Sequence, residues 1–106
     1  METEADCPDA PLAVADGALA RSMPIVNKKG LHARATAKFV HCVEAFTSEI
    51  TVSRCGETVN GTSIMGILTL GAGIGTSITV TAKGDDATQA LDAIGALVAN
   101  RFGEDE

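Results

Sequence analysis

Polar and apolar residues alternate along Glu49-Ile50-Thr51-Val52-Ser53-Arg54 and along Thr76-Ser77-Ile78-Thr79-Val80-Thr81-Ala82. A period of two is that of a strand buried on one face, which puts Ile78, Val80 and Ala82 inward. Leu19 to Val26 can form a further strand with Met23 and Ile25 on one face. Pro24 has no N–H for a ladder, so this strand should lie at a sheet edge or turn position 24 away from its neighbour. Thr58-Val59-Asn60 returns after a Gly56-Glu57 turn as a short antiparallel strand. Between these runs the period changes to that of a helix. Ala33, Ala37, Val40 and Val43 predict a helix from about Ala33 to Ala45, with Arg34, Lys38 and His41 on its polar face. Thr62 or Ser63 can cap a short helix that runs to Leu68 and stops at Gly71, Gly73 and Gly75. Ala87, Ala90, Leu91, Ile94, Leu97 and Val98 make the stripe of a last helix, capped by Asp85 or by an Asp86/Gln89 capping box. Gly103 marks its stop, and Glu104-Asp105-Glu106 reads as a frayed acidic end.

The order β-α-β-β-α-β-α predicts an α+β protein: a four-stranded antiparallel sheet with three helices on one face and water on the other. At 106 residues the chain suits one domain. Residues 1–17 are acidic, contain Pro8 and Pro11 and lack either period, so they read as a mobile leader outside a domain at 18–106. With three Phe and no Trp or Tyr, the core must be aliphatic, and stacking platforms for single-stranded nucleic acid are hard to build. Cys7, Cys42 and Cys55 follow no metal or redox spacing and read as thiols, Cys42 and Cys55 half-buried and Cys7 free. This fits a reducing, cytoplasmic setting, and no apolar run approaches the roughly 20 residues of a membrane span.

The formal net charge of −6 hides an uneven distribution. The leader holds five acids and no base, whereas Ala18 to Val43 holds five basic residues and no acid. That basic cluster surrounds Asn27-Lys28-Lys29-Gly30-Leu31-His32, where a strand stops, a glycine breaks the chain and a helix begins. A helix start offers unpaired amides and the positive end of the macrodipole, a ready seat for a phosphate. His32 stands at that start and Arg34 supplies a cation. Histidine is a nucleophile while neutral near pH 7, and both the helix end and Arg34 disfavour the imidazolium. A phosphoryl group on His32 would meet the amides of Ala33, Arg34 and Ala35 and the Arg34 guanidinium. Ile64, Met65, Ile67 and Leu68 are too many apolar side chains for one face of a short helix, so some should form an exposed docking patch beside His32.

Gly30-Leu31-His32-Ala33-Arg34, together with Thr62-Ser63-Ile64-Met65-Gly66 and Leu70-Gly71, resembles the histidine-containing phosphocarrier (HPr) family of the phosphoenolpyruvate-dependent phosphotransferase system. The resemblance runs from about Met23 to Phe102. It implies an open-faced β-sandwich whose His32 accepts a phosphoryl group on Nδ1 from enzyme I and passes it to a IIA-type protein, with Arg34 as the active-site arginine. Ser63 matches a serine that a dedicated HPr kinase/phosphorylase modifies in some relatives. Such a carrier works as a monomer, needs no cofactor or metal, and is an intermediate rather than an enzyme. Ala35 stands where the family usually has proline, and the alanine form of the motif resembles the nitrogen-related, regulatory carriers more than those of sugar uptake. Thr62 replaces the lysine common before the serine, and the leader has no counterpart in typical members. A second reading is a non-catalytic interaction module acting through Ser63 and its docking patch. A self-sufficient enzyme is disfavoured, since no carboxylate pair, metal cluster or nucleotide loop accompanies His32.

Overall fold

The clearest alternating run becomes strand β4 (Ser77–Lys83), which lies inside the sheet and pairs on both sides. Its neighbours are β1 (Ala18–Pro24) at one edge and β2 (Glu49–Arg54), followed by β3 (Glu57–Asn60) at the other, in the order β1-β4-β2-β3 with every pair antiparallel. Pro24 sits on an edge strand, where its missing N–H breaks no ladder. This computed structural model describes residues 18–104. The leader and Cys7 lie outside those residues, as do Asp105 and Glu106.

The register brings Met23 opposite Ile78, Ile50 opposite Ala82 and Val52 opposite Val80, all buried on one face. Helices α1 (Ala33–Val43), α2 (Ile64–Thr69) and α3 (Ala87–Ala99) cover that face, making the open-faced sandwich expected. On the other face, hydroxyls pair across the strands: Thr51 with Thr81, and Ser53 with Thr58 at 2.8 Å. Among the described residues, no helix is long and apolar enough to cross a membrane, and no His, Cys, Asp and Glu cluster could hold a metal ion.

Several local expectations change. In α1 the buried side is Ala35, Thr36, Phe39, Val40 and Val43, while Ala33 and Ala37 are exposed. Both alanine sets have helical spacing. The bulky, fully buried Phe39 decides which side turns inward, because it removes the most apolar area from water. The hairpin turn is Cys55-Gly56, one position earlier than expected: Arg54 pairs with Glu57, and both turn residues have positive φ, as primed two-residue turns require. Cys55 is exposed there, not half-buried. Cys42 is free, and burial pushes its thiol up.

Asp86 forms no capping box. Its carboxylate accepts from the Thr47 amide at 2.9 Å, the Ser48 amide at 2.9 Å and the Ser48 hydroxyl at 2.5 Å, tying α3 to the chain entering β2. Ser63 does cap α2, its Oγ accepting from the Gly66 amide at 3.1 Å.

Beyond α3 the described residues, 101–104, are not frayed. Arg101–Gly103 forms a 3₁₀ turn in which all three residues have positive φ: 57°, 55° and 78°. Two of them carry side chains that disfavour this region. Complete burial of the Phe102 ring in the core offsets that cost, and Lys38 Nζ donates to the Phe102 carbonyl at 2.7 Å.

Candidate functional site

The loop from β1 to α1 is held in place before His32 is reached. Ile25 exchanges backbone hydrogen bonds with the α2–β4 loop, its amide donating to Thr76 O at 2.8 Å and its carbonyl accepting from Gly75 N–H at 3.1 Å. Leu31 N–H donates to Ala72 O at 2.9 Å. Gly30, at φ +65°, comes so close to this second loop that a Cβ would stand 2.6 Å from Ala72 O and 2.7 Å from Gly73 Cα. Glycine is required there both for the left-handed backbone and for the close approach.

His32 is the residue just before α1, with extended backbone and no side-chain cap bond. Its carbonyl accepts from Thr36 N–H at 2.8 Å, so the amides of Ala33, Arg34 and Ala35 have no carbonyl partner among the described residues. Ala33 and Arg34 are exposed, whereas Ala35 is fully buried. The Arg34 side chain makes no hydrogen bond or ion pair among the described residues. It borders a shallow groove between α1 and α3 with Ala37, Lys38, His41, Cys42 and Leu97. Lys38, expected as part of a solvated face, is instead engaged by the Phe102 carbonyl.

The ring of His32 is 28% exposed, and its Nε2 meets Glu104 Oε2. Nδ1 has no hydrogen-bond partner among the described residues. Glu104, expected as part of a frayed end, has a side chain only 17% exposed. Its second oxygen, Oε1, accepts from Asn27 Nδ2 at 3.1 Å. The hydrogen bond from His32 holds the Glu104 carboxyl below its ordinary range, with Asn27 and the charges of His32 and Lys29 acting in the same direction. Asn27 is fully buried and also donates to Gly30 O at 2.8 Å.

Sequence reasoning assigned Glu104 and Asn27 no role. The available signal was Phe102-Gly103. A large apolar residue beyond the helical stripe must be buried, and a following glycine permits the turn that brings Glu104 back.

The matching family model, described as the PTS HPr component phosphorylation site, covers residues 19–100. The chain belongs to the HPr family. It is 49% identical over 88 residues to a phosphocarrier protein HPr of Cupriavidus necator, covering 83% of this chain and 99% of the relative. It is 44% identical over 86 residues to a phosphocarrier protein NPr of Shewanella violacea, covering 81% of this chain and 94% of the relative. The crystal structure of HPr-C-His from Thermoanaerobacter tengcongensis superposes with a TM-score of 0.79 at 40% identity, over 83% of this chain and 99% of that one.

Within this HPr-family chain, the apolar residues assigned to docking separate. Ile64 and Met65 are 41% and 71% exposed, and Leu68 is half-buried. Ile67 is fully buried and belongs to the core, a correction imposed by the packing of α2 against α1. Val26 and Ile74, on the two joined loops, add exposed apolar surface that the sequence reading did not include.

Proposed function

We propose that this HPr-family chain is a cytoplasmic phosphocarrier, an intermediate rather than a self-sufficient catalyst. His32 takes a phosphoryl group on Nδ1 from phosphorylated enzyme I and passes it to a IIA-type protein. One observation carries this reading: a partly exposed His32, with Nε2 engaged and Nδ1 left without a partner among the described residues, at a helix start whose first three amides lack carbonyl partners there. After transfer, the phosphoryl oxygens face those amides at Ala33, Arg34 and Ala35 and the Arg34 guanidinium. Ile64 and Met65, with Leu68 beside them, offer apolar surface for both partner proteins, extended by Val26 and Ile74.

Ser63 is the regulatory candidate. A phosphoryl group on its Oγ would place a charge of about −1.5 to −2 at the start of α2, next to the exposed Ile64 and Met65. An HPr kinase/phosphorylase is the partner for that step, tested by mass analysis of wild type and Ser63→Ala after incubation with the kinase and ATP.

The carrier reading is tested by intact-mass analysis after incubation with phosphoenolpyruvate and an enzyme I that phosphorylates its own carrier. Wild type is expected to gain one phosphoryl group that is lost in acid and kept in alkali, and His32→Ala none. An unmodified wild type would refute the reading.

A further inference from the structure

Both oxygens of the Glu104 carboxylate are occupied, and by different kinds of donor. Oε2 meets Nε2 of His32, and Oε1 accepts from the side-chain amide of Asn27 at 3.1 Å. Asn27 is itself immobilised. It is fully buried, its Nδ2 also donates to Gly30 O at 2.8 Å, and its own carbonyl accepts from Gly30 N–H at 3.1 Å. The orientation of this amide is set by its neighbours. Turned over, its Oδ1 would confront two acceptors, Gly30 O and Glu104 Oε1, so Nδ2 must face them. The consequence is an Oδ1 that is buried without a partner, an unfavourable state that the fold retains directly behind the candidate nucleophile.

We propose that Asn27 and Glu104 are positioning residues for His32, the buried amide aiming the carboxylate and the carboxylate holding the ring proton on Nε2. This deepens the phosphocarrier reading and rests on it. An ionised carboxylate can only accept, so the imidazole nitrogen beside it is the N–H nitrogen, and in the neutral ring the lone pair then stands on Nδ1. In the transfer step, the Nδ1 lone pair forms a bond to phosphorus while the bond from phosphorus to the donor protein's phosphorylated side chain breaks. That bond's electron pair returns to the donor. Nε2 keeps its proton, and the positive charge that develops on the ring lies opposite Glu104. In onward transfer the Nδ1–P bond breaks, its electron pair returns to Nδ1, and the neutral Nε2–H ring is restored with no net movement of a proton.

The test uses the full chain labelled with ¹⁵N in histidine, with the ring nitrogens of unphosphorylated His32 read by NMR at neutral pH. Wild type is expected to show a protonated Nε2 and a bare Nδ1 as one dominant tautomer. Glu104→Ala should give a mixture of both tautomers and phosphorylate about tenfold more slowly to the same final stoichiometry. Glu104→Gln still presents an acceptor oxygen, so it should keep the tautomer while losing part of the rate. Asn27→Ala should resemble Glu104→Ala. If it fails to fold, the two Glu104 variants still decide, because Glu104 lies beyond the last helix. A role limited to stability would lower the melting temperature and leave the ring spectrum unchanged. An identical tautomer ratio in wild type and Glu104→Ala would therefore overturn the proposal. A wild-type chain that no competent enzyme I phosphorylates would overturn the carrier reading, while the ring spectrum would still answer for the positioning pair.

Discussion

Phe102 links the stability of this fold to the geometry of its site. The ring is fully buried in the core although its backbone stands at φ 55°. Truncation of a buried phenylalanine to alanine removes the transfer free energy of the ring and leaves a cavity, together about 3–5 kcal/mol. At about 0.05–0.15 kcal/mol per residue, a domain the size of residues 18–104 has roughly 4–13 kcal/mol in all. Phe102→Ala should thus remove about a quarter or more of the total. With no Trp or Tyr in the chain, far-UV circular dichroism is the suitable probe of urea unfolding. For a slope of about 1–1.5 kcal/mol/M, the midpoint should fall by roughly 2–5 M. A second substitution isolates the backbone contribution. Ordinarily glycine is less stable than alanine, but at positive φ a Cβ costs about 1–2 kcal/mol, so Phe102→Gly should match or exceed Phe102→Ala. A Phe102→Ala midpoint within about 0.5 M of wild type would refute the burial argument. An alanine variant clearly more stable than the glycine variant would refute the assigned backbone strain.

Two further outcomes follow from the same contacts. Hydrogen bonds to Asp86, first from the Ser48 hydroxyl and then from the Thr47 amide, hold its carboxyl below the ordinary aspartate range. A depressed folded-state value means stabilisation that is complete above the unfolded value near 4 and lost as the pH falls through the folded one. Asp86→Asn should therefore be less stable at neutral pH and show a shallower loss on acidification. Equal acid slopes for the two proteins would contradict this. Gly30→Ala places a Cβ 2.6 Å from Ala72 O in left-handed backbone, so it should cost more than about 2 kcal/mol and slow phosphorylation of His32, and a melting temperature within about 2 °C of wild type would argue against that reading.

Much of the architecture was legible because it rests on local periods. Alternation marked β2 and β4, Pro24 restricted its strand to an edge or an outward-turned position, and the cap of α2 was narrowed to Thr62 or Ser63, each a matter of a few neighbouring residues. The position of His32 at a helix start was legible for the same reason: Gly30 and the change of period lie next to it in the chain. Where two local patterns were equally good, the sequence could not choose between them. Ala33/Ala37 and Ala35/Phe39 are both helically spaced, and the packing of α1 against α2 and α3, with the Phe39 ring in the core, set which side α1 buries. Likewise Ile67 could not be told from Ile64 until α2 had packed on α1.

The chain alone determined the element order, the open-faced sandwich and the nucleophile candidate with its cationic neighbour, since hydrophobic period, backbone permissiveness and charge are properties of adjacent residues. Only the tertiary structure decided that Glu104, 72 positions beyond His32, would meet its ring, and that Asn27, 77 positions before Glu104, would hold the carboxylate from behind. The physical reason is that these contacts depend on a turn of three left-handed residues, which is stable only once Phe102 has a core to enter. No local pattern encodes that core, because it is assembled from every element of the fold.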